Sequence, residues 1–258
     1  MIAYFRRDFF GYFKSPIGYV VLGIVSLIGG FYLANGIGYS YVNIIDEIGF
    51  IQSALFLIIP LITMRLFSEE RRNGTEILMH VSPISLYRVV LAKYFSALAL
   101  FSLICGIIIL HSIVAYSIGA TITAVTFGFF ISFYFIGAVF LSIGILASAL
   151  TENQIIAAIS SLTVIFFTQY IPVLATQIKS FLMSFLDTFN LFNLSMMNTY
   201  KIADSVEKII LWFDPYSKFN DYYAGVLTLS PIVFSVSLIF VFLFVTYRVI
   251  EKRRWSQK

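Results

Sequence analysis

Long runs of apolar residues, separated by short polar segments, dominate the pattern of this chain. A helix crosses the hydrocarbon of a bilayer with about 20 residues at a rise of about 1.5 Å each, and five runs reach that length. A sixth run at 50–64 is shorter and contains Gln52 and Pro60, but charged residues bound it, and local thinning of the bilayer accommodates short spans. The pattern predicts an all-α integral membrane protein with six transmembrane helices, at 17–35, 50–64, 94–117, 127–150, 155–176 and 229–247.

The first 14 residues follow a different pattern, in which apolar and charged side chains fall on different faces of a helix. The apolar positions recur at spacings of three and four, which predicts an amphipathic helix in the headgroup layer of the membrane. Ser15-Pro16 then predicts a turn into the first span. The apolar positions are Ile2, Phe5, Phe9 and Phe13, and the charged ones are Arg6, Arg7, Asp8 and Lys14.

A charged block at 64–93 separates the second and third apolar runs. Asn73-Gly74 indicates the end of a helix, because glycine adopts positive φ without strain. Thr75 is suited to cap a short new helix at 76–81, which Ser82-Pro83 ends. The block is therefore predicted to form a short helical knuckle that projects from the membrane.

The segment at 177–228 is the longest one outside the predicted spans, and it is rich in apolar residues. Its first part has a helical apolar stripe, and Asp214-Pro215 ends a second short helix at 205–213. We expect a long external helical loop that lies on the outer membrane surface or dips back between the spans. The stripe consists of Ile178, Phe181, Leu182, Phe185, Leu186, Phe189 and Phe192.

Composition agrees with a membrane protein, and the basic residues indicate its orientation. The chain has 60% apolar and 12% charged residues and a mean hydropathy of +0.93, whereas soluble domains have about 25% charged residues. Most of its 17 basic residues fall on one side of a six-span arrangement. By the positive-inside rule, that side and both termini are cytoplasmic, in the plasma or inner membrane. The other side has Lys179, Lys201, Lys208 and Lys218.

Chemistry-bearing residues are scarce in the predicted spans, which contain no Asp, Glu, Lys or Arg. Ion-coupled transporters normally need ionisable groups there, so the pattern argues against that class. His80 and His111 are predicted at opposite faces of the bilayer and cannot share a metal, and Cys105 is the sole cysteine. No phosphate-binding G-x-x-x-x-G-K-[ST] loop occurs. We expect no catalytic residue, no metal site, no bound cofactor and no nucleic-acid partner.

Several motifs resemble the permease subunits of type-2 ABC exporters, most closely those of the gliding-motility and nitrous-oxide-reductase-maturation type. The most specific of them is PLITMRLFSEERRNGTEILM at 60–79, which SPIS at 82–85 and VLAKY at 90–94 follow. Together the motifs cover nearly the whole chain in family order. The others are SPIGY at 15–19, ALTENQI at 149–155 and FNDYYAGVL at 219–227.

The resemblance implies six spans per subunit, a second permease that is either another copy or a related chain, and two cytoplasmic ATPase subunits. It implies an interfacial helix at 4–13, with Phe5, Arg6, Arg7, Phe9 and Phe13. It also implies a coupling helix between the second and third spans, through which the permease contacts the ATPase. The residues assigned to this contact are Glu69, Glu70, Arg71, Arg72, Gly74, Thr75, Glu76 and Leu78.

We therefore expect the permease subunit of an ATP-driven exporter, which forms a translocation path with a second permease and leaves ATP hydrolysis to its partners. The alternative is a non-transporting membrane subunit that transmits force or a signal to an external protein, which the long outer segment slightly favours. An intramembrane enzyme is disfavoured, because no nucleophile is expected within reach of a base.

Overall fold

The computed structural model describes residues 1–38, 42–77, 84–189 and 196–256, and this part of the chain contains helices and no strand. The predicted all-α class is therefore confirmed for the described residues. They form twelve α-helices and one 3-10 helix. These are α1 Ile2–Lys14, α2 Pro16–Gly38, α3 Ile44–Ser53, α4 Leu55–Thr63, α5 Ser68–Arg72, α6 Leu86–Ser117, α7 Ala124–Leu150, α8 Gln154–Gln169, α9 Ile171–Phe189, α10 Met196–Trp212, the 3-10 helix Ser217–Phe219, α11 Asn220–Tyr223 and α12 Ser230–Ser256.

Four of these helices are long and apolar enough to cross a membrane, namely α2, α6, α7 and the Ser230–Arg253 part of α12. Two further segments meet the same criterion only as bent pairs. One joins α3 to Leu55–Arg72 at an angle of 55°, and the other joins α8 to α9 at 54°. The described chain therefore has four candidate spans, or up to six if each bent pair is one span, which is the composition of a multi-pass membrane protein.

The second apolar segment begins earlier than the predicted 50–64 and is broken at Ala54. Its first helix starts at Ile44 because the Asn43 side chain caps it, accepting a hydrogen bond of 3.1 Å from the amide of Ile45. The start lies far enough back to include Glu47, whose Oε1 is 2.6 Å from His111 Nδ1 of α6. Glu47 thus lies in a helix of the second apolar segment, just outside the boundary that hydropathy predicted, and its partner His111 lies within the predicted third span.

The fifth apolar segment is also broken, whereas the sequence predicted one continuous helix at 155–176. It bends at Tyr170, between α8 and α9. Pro172 occupies the first turn of α9, where its missing N–H leaves no hydrogen bond of that helix unmade. The proline is therefore compatible with a new helix start and not with an uninterrupted span.

The helix α7 lies at the centre of the structure, with the largest share of buried residues among the candidate spans. Close approach to it depends on glycines. A Cβ at Gly137 would overlap the ring of Phe101 in α6, and a Cβ at Gly144 would overlap the hydroxyl of Thr63 in α4. The Phe101 ring also stacks on that of Phe133, with 5.3 Å between centroids. These contacts fix α4 and α6 against α7.

The two ends of the helix bundle differ in chemistry. At one end α1, α5 and the first turns of α6 gather charged side chains, and we name this the charged end. At the opposite end, the far end, α9 and α10 pack against each other, joined by Lys179 to Glu207 (2.6 Å) and Asp204 (3.5 Å). The following segment returns into the protein, where Tyr222 is buried and its carbonyl packs against Gly128 of α7.

Candidate functional site: the charged end

The segment that leads from α4 into α5 is held by a side chain of α7. The hydroxyl of Ser148 accepts hydrogen bonds from the backbone N–H groups of Phe67 (3.1 Å) and Ser68 (3.2 Å). It donates in turn to the carbonyl of Met64 at 3.1 Å. Since the first N–H groups of a helix have no partner within it, Ser148 stabilises the start of α5 from outside.

A cluster of charges, which we name the brace, joins α1, α5 and α6. Its centre is Lys93, which is 1% exposed and lies between two carboxylates, 3.3 Å from Asp8 Oδ2 and 3.0 Å from Glu70 Oε1. Its Nζ also donates to the carbonyl of Leu66 at 2.6 Å. The ammonium thus donates hydrogen bonds to Asp8 and to the backbone and forms an ion pair with Glu70, and these contacts offset the cost of burying the charge. The brace consists of Arg7, Asp8, Glu70 and Lys93.

Arg7 completes the brace from its solvent side. Its guanidinium donates to Asp8 Oδ1 at 2.8 Å and also to Glu70. Burial lowers the pKa of Arg7, but the hydrogen bonds and negative charges of Asp8 and Glu70 outweigh burial and raise that pKa above its ordinary value. The guanidinium therefore stays charged and shares both carboxylates with Lys93.

Tyr12 connects α1 to a further helix, α4. Its ring is buried, and its hydroxyl donates to the carbonyl of Ile62 at 3.0 Å. Burial, reinforced by the charge of Asp8, raises the pKa of this phenol, so the hydroxyl remains a donor. Asp8 and Tyr12 are four residues apart and lie on the same face of α1. One face of the amphipathic helix is therefore bonded to the protein.

Two further ion pairs hold the segment on its other sides. Arg71 of α5 lies 2.6 Å from Glu152, which follows α7, and also donates to the carbonyl of Leu150 at 3.5 Å. Beyond α5, Glu76 Oε1 lies 4.0 Å from the guanidinium of Arg253 in α12. We name the part of the charged segment that makes these contacts the base; it consists of Phe67, Ser68, Glu70, Arg71 and Glu76. The base therefore contacts α1, α6, α7 and α12.

The turn beyond α5 forms an exposed tip. Gly74 has a φ of 69°, which confirms the positive φ predicted for the Asn73-Gly74 turn. The hydroxyl of Thr75 donates back to the carbonyl of Glu70 at 3.1 Å, and Ile77 is 60% exposed. The tip consists of Arg72, Asn73, Gly74, Thr75 and Ile77, all of which are exposed.

The residues predicted to contact a partner thus fall into two groups. Arg72, Gly74 and Thr75 belong to the exposed tip, and Glu69 is partly exposed, with Oε2 4.0 Å from Nε of Arg65. The others turn inward to partners within the chain: these are Glu70, Arg71 and Glu76. Leu78 and His80 lie outside the described residues, as does most of the helix predicted at 76–81, of which 76 and 77 have helical backbone.

Sequence reasoning did not identify several residues that hold this site together. In the sequence, Lys93 closes the charged block and belongs to the VLAKY motif, and Asp8 is one charge on the amphipathic helix. Nothing local marks either residue as half of a pair, because Asp8 falls among the other charged positions of its helix and Lys93 borders an apolar run. No local signal marks Ser148 either, whose spacing in α7 suggests plain helix packing. Its role depends on the turn at 64–67 that separates α4 from α5.

A second polar contact links the breaks of the two bent segments. The side-chain amide of Gln169, the last residue of α8, donates to the carbonyls of Gln52 (3.2 Å) and Ser53 (3.3 Å), where α3 ends. It also donates to the hydroxyl of Tyr216 at 3.1 Å. The last carbonyls of a helix lack partners within the helix, and the side-chain amide of Gln169 donates hydrogen bonds to two of them. The two bends are therefore joined directly.

The charged end has a cleft lined by charged side chains, which is suited to bind a polar or charged group. The cleft has a volume of about 380 Å³ and opens between α1 and α5, beside Glu70 and Lys93. Among the described residues, no group of three or more His, Cys, Asp or Glu side chains is placed to hold a metal ion. Comparison of the sequence with models of known protein families gave no match, and none of the curated proteins searched is similar to it.

Proposed function

We propose that this chain is the permease subunit of an ATP-driven exporter of the type-2 ABC class. It works with a second permease and with two cytoplasmic ATPase subunits, which bind and hydrolyse ATP. The observation that carries the proposal is the tip, an exposed turn on a base that is bonded to four other helices. A surface loop with no mechanical role does not need such a base.

The contacts at the base support a route by which movement of the tip reaches the spans. A displacement of α5 pulls on Lys93 of α6 through Glu70, and on Ser148 of α7 through the backbone amides at 67 and 68. Because α6 and α7 pack tightly, they move together rather than deform. In the proposed mechanism, ATP-driven closure of the ATPases moves the tip, and a path between the two permeases changes its access.

The same contacts give α1 a part in this movement. The brace and Tyr12 bond α1 to α4, α5 and α6. A single extended residue, Ser15, connects α1 to α2. We expect α1 to follow the tip and to act on the first span. In this proposal the charged end faces the cytoplasm, as the distribution of basic residues predicts.

The second candidate function is a membrane subunit that transmits force to an external protein without transport. The Gln169 contact favours it, because it links the segment that ends in α5 to the segment that continues as α9. Movement at the charged end would then reach the far end through two bent segments. Transport of a labelled substrate in reconstituted vesicles separates the two functions, since only the exporter moves material across the bilayer.

A charge reversal in the tip tests the proposed contact. Arg72→Glu places an acid on the exposed turn, and Arg88→Glu makes the same change at an exposed position at the start of α6. The tagged chain is purified from native membranes, and copurified ATPase is identified and quantified by mass spectrometry. We expect Arg72→Glu to reduce the ATPase at least tenfold and Arg88→Glu to leave it unchanged. Equal recovery with both variants, or no ATPase with the unmodified chain, contradicts the proposal.

A further inference from the structure

The helix α1 has a face that the protein leaves open. Relative to the buried Tyr12, the opposite side of the helix carries Arg6, Phe10 and Lys14, which follow one another at intervals of four residues. All three are exposed, Phe10 to 50%. A shallow groove follows this line, and Ala3, Arg7 and Phe13 also line it. The open face therefore alternates cation, aromatic ring and cation.

The two cations on this face differ from their neighbour Arg7. Arg7 is held by Asp8 and Glu70, whereas Arg6 and Lys14 have no carboxylate within ion-pair distance among the described residues. Two positive charges close to a membrane surface and without a protein counterion attract anionic groups. Each such cation contributes about 1 kcal/mol to binding at an anionic membrane.

The position of the open face selects a lipid as the anion's source. Ser15 is the only residue between α1 and α2, and α2 is a candidate span, so Lys14 lies at the membrane boundary. At the other end of α1, Ile2 is 75% exposed. Exposed Ile2 and Phe10 match the boundary between headgroups and acyl chains, where long basic side chains extend to the phosphates.

We propose that Arg6 and Lys14 bind the phosphates of anionic phospholipids, such as phosphatidylglycerol, with Phe10 inserted between the headgroups. The two cations are eight residues apart, or about 12 Å along the helix, which is too far for one phosphate, so each binds its own lipid. The lipids thereby hold the open face of α1 at the membrane surface while the brace holds the opposite face to the protein.

Native mass spectrometry of the full-length protein tests this site. The protein in detergent is titrated with phosphatidylglycerol or with phosphatidylcholine of the same acyl chains, and bound lipids are counted. The test variant is Arg6→Gln/Lys14→Gln. The control is Arg88→Gln/Lys252→Gln, which removes two exposed cations elsewhere and changes the net charge equally. Arg6→Lys/Lys14→Arg retains both charges and shows whether binding follows charge.

We expect the unmodified protein, the control and the charge-retaining variant to bind up to two phosphatidylglycerol molecules in preference to phosphatidylcholine. The test variant should bind them about 30-fold more weakly, since it loses two cations. If the control bound phosphatidylglycerol as weakly as the test variant, the loss of binding would follow from net charge alone, and the proposal would be overturned. Equal binding of phosphatidylcholine, displacement by inorganic phosphate at matched concentration, or unchanged lipid binding with loss of a copurified protein would overturn it as well.

Discussion

Lys93→Met is expected to destabilise the protein by about 3–5 kcal/mol, the usual cost of removing one partner from a buried ion cluster. Methionine fills a similar volume, so packing changes little, but it offers no proton to Asp8 or the carbonyl of Leu66 and no positive charge to Glu70. The two carboxylates of the brace are then left with Arg7 alone. Because Lys93 is 1% exposed, water does not replace the lost hydrogen bonds.

Arg7→Met provides the matched control within the same cluster. The side chain of Arg7 is 51% exposed, and water reaches its partners when it is removed. Exposed ion pairs contribute about 0–1 kcal/mol, so this variant should lose far less stability than Lys93→Met. The difference between the two variants measures how much of the brace depends on the buried cation.

A charge-balanced double variant separates electrostatics from packing. Lys93→Met/Glu70→Gln removes one positive and one negative charge, which relieves the unpaired carboxylate. We expect it to be more stable than Lys93→Met alone, with a coupling free energy of about 0.5–3 kcal/mol between the two positions.

Cys105 supplies the assay, because it is the sole cysteine and is buried in α6. A thiol-reactive fluorescent dye labels it only when the helix bundle opens during heating. At roughly 2–4 °C per kcal/mol, Lys93→Met should lower the midpoint by about 6–20 °C. A shift below about 2 °C, or one no larger than that of Arg7→Met, would refute the reasoning that Lys93 holds the charged end together.

Three further predictions concern the rest of the bundle. Gly144→Ala should cost about 1–3 kcal/mol in the same thiol assay because its methyl group meets a hydroxyl of α4, whereas Gly106→Ala, where nothing lies within 4 Å, should be neutral or stabilising. Gln169→Leu leaves the carbonyls of Gln52 and Ser53 without their donor at the start of α9, so it should increase hydrogen exchange in α9. The control Gln177→Leu, at an exposed position of α9, should not. Hydrogen bonds from Lys208, one turn away, and from Lys179 of α9 lower the pKa of Asp204 below 3.8. The α9–α10 pair should therefore resist pepsin above pH 3.8 and become sensitive as the pH falls through the lowered pKa.

Features that depend on a few neighbouring residues were predictable from the sequence. The end of α1 at Ser15-Pro16 and the positive φ of Gly74 follow from the conformational limits of proline and glycine. The apolar runs predicted the helical class for the same reason, since length and hydropathy are local quantities.

Features that depend on distant residues were not predictable. Lys93 and Asp8 are 85 positions apart, and nothing in either segment specifies the other. Hydropathy placed Lys93 outside the span because it scores charge without regard to a partner. Likewise, Pro172 permits a break in the fifth segment. The side chain at that break, Gln169, donates hydrogen bonds to carbonyls at the end of α3, which is distant in the sequence. The charged segment was therefore recognisable in the sequence, whereas its division into tip and brace required the fold.

Site-specific photocrosslinking tests the central claim most directly. A photoreactive amino acid replaces Asn73 in the exposed tip or, as a control, the exposed Asp187 near the end of α9. After irradiation of native membranes, crosslinked partners are identified by mass spectrometry. The account predicts that position 73 captures a cytoplasmic ATPase chain and that position 187 does not. Capture of the ATPase from 187, or its copurification without any crosslink from 73, would contradict the account.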